Sequence, residues 1–475
     1  MLNYLNSNNT FIVYGLGISG IATIKYLVQN TNNKIIASDD NLENLNKISK
    51  DLEYLEKEIK FVKPQDLNFN KNTIIINSPG IPIYNPPHPI LLKAISNKSA
   101  IICDIELFYY INSNHNFIAV TGTNGKSTTV SLINHILLNL GIKSNLGGNI
   151  GKACFDLDIS SLKKDYVLEI SSYQIDLLKN AHFKISALTN ITPDHIERYG
   201  NFDNYYKSKK KIFDQQKTGD VAIINIDDEF SFKLFNQLKQ DKNHKSDLIP
   251  ISTRNILDKG VSFISGILYN KILGNNNHYK INPQFLVGQH NNENIAIAFA
   301  SVFCNLYKNH QEKINNQNLN SIIDSIENFT GLKHRMQFLG RINNIAFYND
   351  SKATNADAAY HALKALDNIY WILGGRPKIG GIESLSPLFS KIKKAFLIGE
   401  ASDEFAKILD RYNVNYEKSF TLDNATKKAF SDAKINNSDQ KNILLSPACA
   451  SFDQWQNFEQ RGDYFCKIFD DIKKA

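Results

Sequence analysis

The run Thr121-Gly122-Thr123-Asn124-Gly125-Lys126-Ser127-Thr128-Thr129 brings together two glycines, a lysine and a row of hydroxyls. That combination suits phosphate chemistry. Backbone N–H groups of a glycine turn at a helix start meet phosphate oxygens, a lysine adds a cation, and a serine hydroxyl can ligate magnesium. The common form places about four residues between its glycines. Here only Thr123 and Asn124 separate Gly122 from Gly125, and Val120 stands where the first glycine would fall. A bare Gly-Lys-Ser is most often an ordinary loop. This one follows the apolar run Phe117-Ile118-Ala119-Val120, which reads as a buried strand. It precedes Val130, Leu132, Ile133, Ile136, Leu137 and Leu140, spaced as one face of a helix. Strand, glycine turn and helix together predict a nucleotide phosphate site.

Other residues could serve the same chemistry. Glu169 ends the apolar run Tyr166-Val167-Leu168. It would be a magnesium ligand if its strand neighbours the loop, and otherwise a helix-capping acid. His195 closes Thr189-Asn190-Ile191-Thr192-Pro193-Asp194, and Tyr205 and the lysines 207 and 209–211 follow. A lone histidine is commonly structural, but a neutral imidazole can ligate a metal. Asp350-Ser351-Lys352-Ala353-Thr354-Asn355 sets an acid, a cation and hydroxyls at a strand-to-helix turn, with His334-Arg335 upstream. A permanent guanidinium near phosphate stabilises charge developing in transfer; a capped helix with surface charges is the plainer reading. Ser446-Pro447-Ala448-Cys449-Ala450-Ser451-Phe452-Asp453 reads as another strand-to-helix turn, where Ser451 and backbone N–H groups at the helix start could hold a carboxylate.

The elements that must position these residues fall into three segments of the 475-residue chain, which is too long for one ordinary core. The expected fold is α/β: three consecutive domains over 1–104, 105–331 and 332–475. Phe11 to Gly20 reads as strand, glycine turn and helix, followed by the strand Lys34 to Ser38 with Asp39 and Asp40 at its end, and by a buried strand from Thr73. That spacing imitates a dinucleotide fingerprint. The central segment adds strands near 166–169, 186–189 and 221–224, then a polar stretch over 235–282 read as short strands and loops. The last segment alternates strands at 345–349, 370–374, 395–398 and 442–445 with helical stretches, which implies a parallel sheet.

The hydrophobic fraction of 42% is ample for globular folding. No apolar run approaches the ~20 residues needed to span a bilayer, and the start lacks a signal-peptide pattern. Five cysteines without paired spacing fit reduced thiols in a cytoplasmic protein. The net charge of +7 is dispersed and suits anionic substrates better than nucleic acid.

In combination, Thr-Gly-Thr-Asn-Gly-Lys-Ser-Thr at 121–128, Asn-Asp-Ser-Lys-Ala-Thr-Asn at 349–355, and Ser-Pro-Ala-Cys-Ala-Ser-Phe-Asp-Gln at 446–454 followed by Asn-Phe-Glu-Gln-Arg-Gly at 457–462 resemble the Mur ligase family of ATP-dependent amide ligases. The resemblance runs from Gly15 to Gly462. It implies a Rossmann-like N-terminal domain for a UDP-sugar, a central P-loop ATPase-like parallel sheet, and a Rossmann-like C-terminal domain for the incoming amino acid. It implies the addition of D-glutamate to UDP-N-acetylmuramoyl-L-alanine in peptidoglycan synthesis, by a cytoplasmic monomer that needs no nucleic acid or membrane.

The residue assignments follow from that resemblance. Gly122, Thr123, Asn124, Gly125, Lys126, Ser127 and Thr128 would hold ATP. Asn294 would lie near its base, and Arg335, Asp350 and Lys352 would complete its site. Ser127 and Glu169 would ligate one Mg2+; His195 and a carbamylated lysine would serve a second. The family places that lysine four residues after a tyrosine, so Tyr205 points to Lys209 within the run 209–211. Lys126, His195, Lys209 and Lys352 would be the catalytic set. Ile18, Ser19, Asp39, Ser78, Gly80 and Asn149 match positions around the UDP-sugar; Thr354, Lys378, Ser451 and Phe458 match positions around D-glutamate. Asn41 stands where some relatives carry arginine, and Gly374-Gly375-Arg376-Pro377-Lys378 departs from the Asp-Gly-Lys of other members. The rival readings are a family member with another amino acid or a folate as substrate, an NAD-dependent oxidoreductase built on Gly15 to Asp39, and a non-catalytic nucleotide-binding protein.

Overall fold

The computed structural model describes residues 3–474 except 56–58, 160–161, 275, 284, 287, 378–379 and 436–439. Its strands form three sheets. In the first, the all-parallel order is Ile59–Phe61, Lys34–Ser38, Thr10–Tyr14, Thr73–Asn77, Ala100–Ile102. Thr73–Asn77 is buried at every position, as expected for a parallel strand covered on both faces. Strand order reverses between Thr10–Tyr14 and Thr73–Asn77, so Gly15 and Ser78 leave the sheet side by side at the switch point, where open α/β sheets bind ligands.

The central sheet has nine strands. Asn116–Thr121 lies between Asp165–Glu169 and Ile185–Leu188, parallel to both, with Val120 opposite Glu169. The reversal of order falls at this strand, and its exit is the glycine loop. The sheet is not parallel throughout: Gly260–Ile264, Ile267–Lys271 and Asn277–Lys280 form an antiparallel meander at one edge. The polar stretch after 235 thus holds strands as expected, but Glu229–Gln240 is a helix, capped by Asp228.

The third sheet runs Gln337–Ile342, Ile345–Asn349, Lys441–Leu445, Ile369–Gly374, Ile392–Ile398, Tyr416–Phe420. The four strands expected here pair parallel, and Gln337–Ile342, outside that expectation, adds an antiparallel edge. The insertion of Lys441–Leu445 between Ile345–Asn349 and Ile369–Gly374 has a consequence for chemistry: it brings the turns after 349, 374 and 445 to the same end of the sheet.

The chain forms two compact units, residues 1–282 with 289–326, and 283–288 with 327–475. The first two sheets share a continuous core from Phe11 and Leu27 through Phe108 to Tyr166 and Phe183. In the second unit Phe285 packs against Phe338, ring centroids 5.8 Å apart.

Candidate active site

The glycine loop is built around two backbone conformations. Gly122 has φ 149° and Gly125 φ 84°. A Cβ at Gly122 would lie 1.8 Å from Thr189 Oγ1, and one at Gly125 2.3 Å from Asn294 Oδ1. The neighbouring strand end braces the loop. Asn190 Oδ1 accepts from Asn124 N at 2.9 Å, Thr189 Oγ1 donates to Asn124 O at 2.6 Å, and Thr123 N donates to Asn190 O at 2.9 Å. Helix Lys126–Asn139 starts directly behind it, so its first-turn N–H groups face the loop mouth. Lys126 Nζ closes that mouth, donating to Gly122 O at 2.9 Å and Thr123 O at 2.7 Å. Gly125→Ala is therefore expected to combine a left-handed strain with a clash and to weaken ATP binding by at least about tenfold, measured by nucleotide titration; unchanged affinity would refute the loop's role.

Glu169 stands beside the loop. Ser127 Oγ donates to its Oε2 at 2.6 Å, and Asn149 Nδ2 to its Oε1 at 2.8 Å. Asn149, expected at the UDP-sugar, thus touches the carboxylate expected at magnesium. Among the described residues no three His, Cys, Asp or Glu side chains cluster as a metal cage. The donors that do fit are a hydroxyl and one buried carboxylate at a phosphate loop, the hard-oxygen set with which magnesium shares substrate phosphates.

Lys209 is 2% exposed on helix Phe202–Lys210. Its Nζ reaches Thr121 Oγ1 at 3.4 Å and lies 4.9 Å from the Tyr205 ring centre. Among the described residues no carboxylate stands within ion-pair distance of it. Burial, reinforced by the nearby Lys126 cation, pushes its ammonium well below the ordinary lysine range. Lys210 is only half-buried, and Lys211 is engaged with Asp176 at 2.8 Å. Tyr205 donates to or accepts from Thr123 Oγ1 at 3.0 Å, tying this helix to the loop. His195, half-exposed with φ 53°, meets Tyr205 edge-on, ring centres 6.3 Å apart. Asn294 braces the loop from below, accepting from Thr129 Oγ1 at 3.1 Å.

In the first sheet Asp39 Oδ2 accepts from Leu16 N at 2.7 Å and fixes the glycine turn. Asn41 caps helix Leu42–Asp51, accepting from Glu43 N and Asn44 N, which gives it a structural role. Ile18 is 74% exposed at the mouth of this turn, with Ser19 beside it half-buried. Ser78 crowds Gly15, whose Cβ would lie 2.5 Å from that of Ser78.

The second unit gathers its own cluster. Asp350 is buried and accepts from Ser446 Oγ at 2.8 Å and Met336 N at 3.1 Å, joining two of the three neighbouring turns. Burial raises its carboxyl to about 7, offset in part by Ser446, Met336 and the Arg335 charge. Because the folded value lies above the unfolded one, the native state holds an extra proton between the two. Stability should therefore fall as pH rises from about 4 to about 7. Asp350→Asn is expected to flatten that slope in urea titrations across this range; an unchanged slope would show the carboxyl is not its source.

Lys352 N donates to His334 O at 2.9 Å, which ties the His334-Arg335 segment to the Lys352 turn, and Lys352 Nζ lies 5.2 Å from the Phe458 ring centre. Thr354 is half-buried on the same turn, with its N donating to Lys352 O at 2.8 Å. Ser451 is buried, but it does not start a helix: a turn follows, and helix Phe458–Lys474 begins seven residues later. That corrects the expected helix start after Ser451, whose side chain stands on a turn instead. Lys378 lies outside the described residues.

Two arginines without an assigned role emerge. Arg461, fully buried, donates to Ser351 Oγ at 3.0 Å, Ser351 O at 2.8 Å and Cys449 O at 3.1 Å, binding the 350s turn to the 440s turn. Its place in Asn-Phe-Glu-Gln-Arg-Gly was visible in sequence, but its burial was not. Arg198 is the other.

Comparison with known proteins agrees with this geometry. The chain matches the Mur ligase MurD-like N-terminal domain over residues 9–103, the Mur ligase middle domain over 120–302, and the Mur ligase glutamate ligase domain over 334–449. It is 41% identical to a UDP-N-acetylmuramoylalanine–D-glutamate ligase of Rickettsia bellii, over 97% of both chains. It is 40% identical to one of Agrobacterium fabrum, over 95% of this chain and 93% of that one. Among solved structures, UDP-N-acetylmuramate-alanine ligase from Thermotoga maritima has the same fold at 17% identity, with a TM-score of 0.55 over 98% of this chain and 100% of that one. These matches cover all three sheets and the loop between Thr121 and Thr129, and the chain belongs to the Mur ligase family.

Proposed function

We propose that this chain is an ATP-dependent carbon–nitrogen ligase that joins D-glutamate to UDP-N-acetylmuramoyl-L-alanine in peptidoglycan synthesis, acting in the cytoplasm as a monomer. No helix among the described residues is long and apolar enough to cross a membrane. The observation that carries the chemistry is the contact of Ser127 with Glu169 at the mouth of a glycine loop that Lys126 closes. The relatives named for D-glutamate addition, matched from end to end, support the choice of substrates.

The acceptor's terminal carboxylate attacks the γ-phosphorus of ATP, forming an acyl phosphate and ADP. The amine of D-glutamate then attacks the acyl carbon, and phosphate leaves. In this reading Gly122 to Thr128 cradle the phosphates, and Lys126 leaves its carbonyl partners for phosphate oxygens. Magnesium would neutralise phosphate charge, held by Ser127 and Glu169, with a second ion served by His195 and a carbamate on Lys209. Arg335, Asp350 and Lys352 complete the ATP site, and Thr354, Lys378, Ser451 and Phe458 receive D-glutamate. Ile18, Ser19, Asp39, Ser78 and Gly80 hold the UDP-sugar at the switch point of the first sheet. The domains serving these ligands are 1–104, 105–331 and 332–475.

The decisive assay follows ADP release. It should require magnesium, the UDP-sugar and D-glutamate together. Release with another amino acid in place of D-glutamate would move the chain to another branch of the family, and nicotinamide binding would favour an oxidoreductase.

A further inference from the structure

Arg198 is the last charged residue of the short helix Ile196–Tyr199, three residues after His195. It makes no ion pair within the salt-bridge distance among the described residues. Its guanidinium instead forks onto two successive carbonyls of the first sheet's turn: Nη1 donates to Gly80 O at 3.0 Å and Nη2 to Ile81 O at 2.9 Å. The guanidinium carbon lies 3.9 Å from the ring centre of Tyr173, stacked on its face. Tyr173 also faces His195, ring centres 5.0 Å apart. Two flanking contacts repeat the link. Asn85 Nδ2 donates to Glu197 O at 3.1 Å, and Lys211 Nζ donates to Tyr84 Oη at 3.4 Å.

We propose that Arg198 is a positioning residue that clasps the Ser78–Ile81 turn to the segment carrying His195, so that the acceptor-binding turn and the phosphate-side histidine share one rigid mount. The proposal rests on the ligase reading above, which puts the UDP-sugar against Ser78 and Gly80. The turn's own sheet fixes its start, through Ser78 N donating to Tyr14 O at 2.9 Å. Asn77 Nδ2 holds the turn from within, donating to Ser78 O and Ile81 O at 3.2 Å each, while Arg198 is the partner that comes from outside the first sheet, to Gly80 O and Ile81 O. A planar fork satisfies two adjacent carbonyls at once and fixes their spacing, whereas an ammonium satisfies them as a point charge. The stacked tyrosine sets the plane of the fork, so the carbonyl direction is inherited from the His195 segment.

The test is the Arg198→Ala and Arg198→Lys pair, read by titration of UDP-N-acetylmuramoyl-L-alanine without ATP and by steady-state kinetics. The acceptor Kd and KM should rise at least about tenfold in both variants while the KM for ATP stays within about twofold, because two charge-assisted hydrogen bonds act on the acceptor's turn alone. Acceptor affinity within about twofold of the parent in a folded Arg198→Ala protein would overturn the proposal, as would full rescue by lysine or an equal rise in the KM for ATP. If Arg198→Ala fails to fold, Tyr173→Leu, which removes only the stacking ring, should shift acceptor affinity by about threefold in the same direction, and no shift would overturn it. Failure of the parent to bind the acceptor at all would instead count against the ligase reading.

Discussion

Lys126→Ala is expected to lower product formation by three orders of magnitude or more, with the circular dichroism and melting profile preserved. The side chain lies across the loop mouth on Gly122 O and Thr123 O, so it supports no core packing and its loss should leave the fold intact. On the proposed ligase reading, its removal takes a cation from the place where γ-phosphate charge would spread during transfer, an effect on the order of 10³-fold for a single preorganised group. Most of the loss should appear in kcat. A variant that keeps near-normal turnover would end the assignment of this loop as the phosphate site.

The second large effect separates one lysine from its neighbours. Lys209→Ala is expected to lose activity by about three orders of magnitude, and Lys210→Ala to lose about twofold at most. Within the run 209–211, only Lys209 is fully buried, and its ammonium is pushed well below the ordinary lysine range. A neutral amine is what carbamate formation needs: its nitrogen lone pair bonds the carbon of carbon dioxide, and one proton leaves to solvent. The product carries oxygen donors that an amine lacks. 13C-bicarbonate should therefore give a carbonyl-region signal in the parent protein that is absent from Lys209→Ala. Equal losses at Lys209 and Lys210, or a label that survives the Lys209 change, would place the modification elsewhere.

The loop was legible because its information is local: glycines, a lysine and flanking periodicities within some twenty residues. The short glycine spacing was also legible as a pattern, but its cause was not. Gly125 is required by Asn294, which lies far along the chain and braces the loop from below. Sheet order was hidden for the same reason. Nothing near Lys441 says that its strand inserts between two earlier ones, yet that insertion brings the turns of Asp350 and Ser446 within a hydrogen bond. The helix expected after Ser451 is absent because a strand end followed by small residues only looks like a helix start. The turn between them is closed by Ser451 O accepting from Gln454 N and Trp455 N, which periodicity does not reveal. Arg198 lay in no motif, and Arg461 lay in one whose residue types do not disclose its partners, since both side chains act on groups contributed by distant turns.

The way the chain threads between its two compact units limits how it can be cut. Residues 283–288 belong with the unit that resumes at 327, while 289–326 return to the first. A fragment starting at 327 would lose Phe285 and bare the face of Phe338 that it covers. A fragment starting at 283 would drag along the apolar helix Gln289–Asn309, whose partners remain in the other piece. A freestanding second unit would therefore require splicing out the intervening helices. A single protease cut at one crossing should nick the protein without releasing a half.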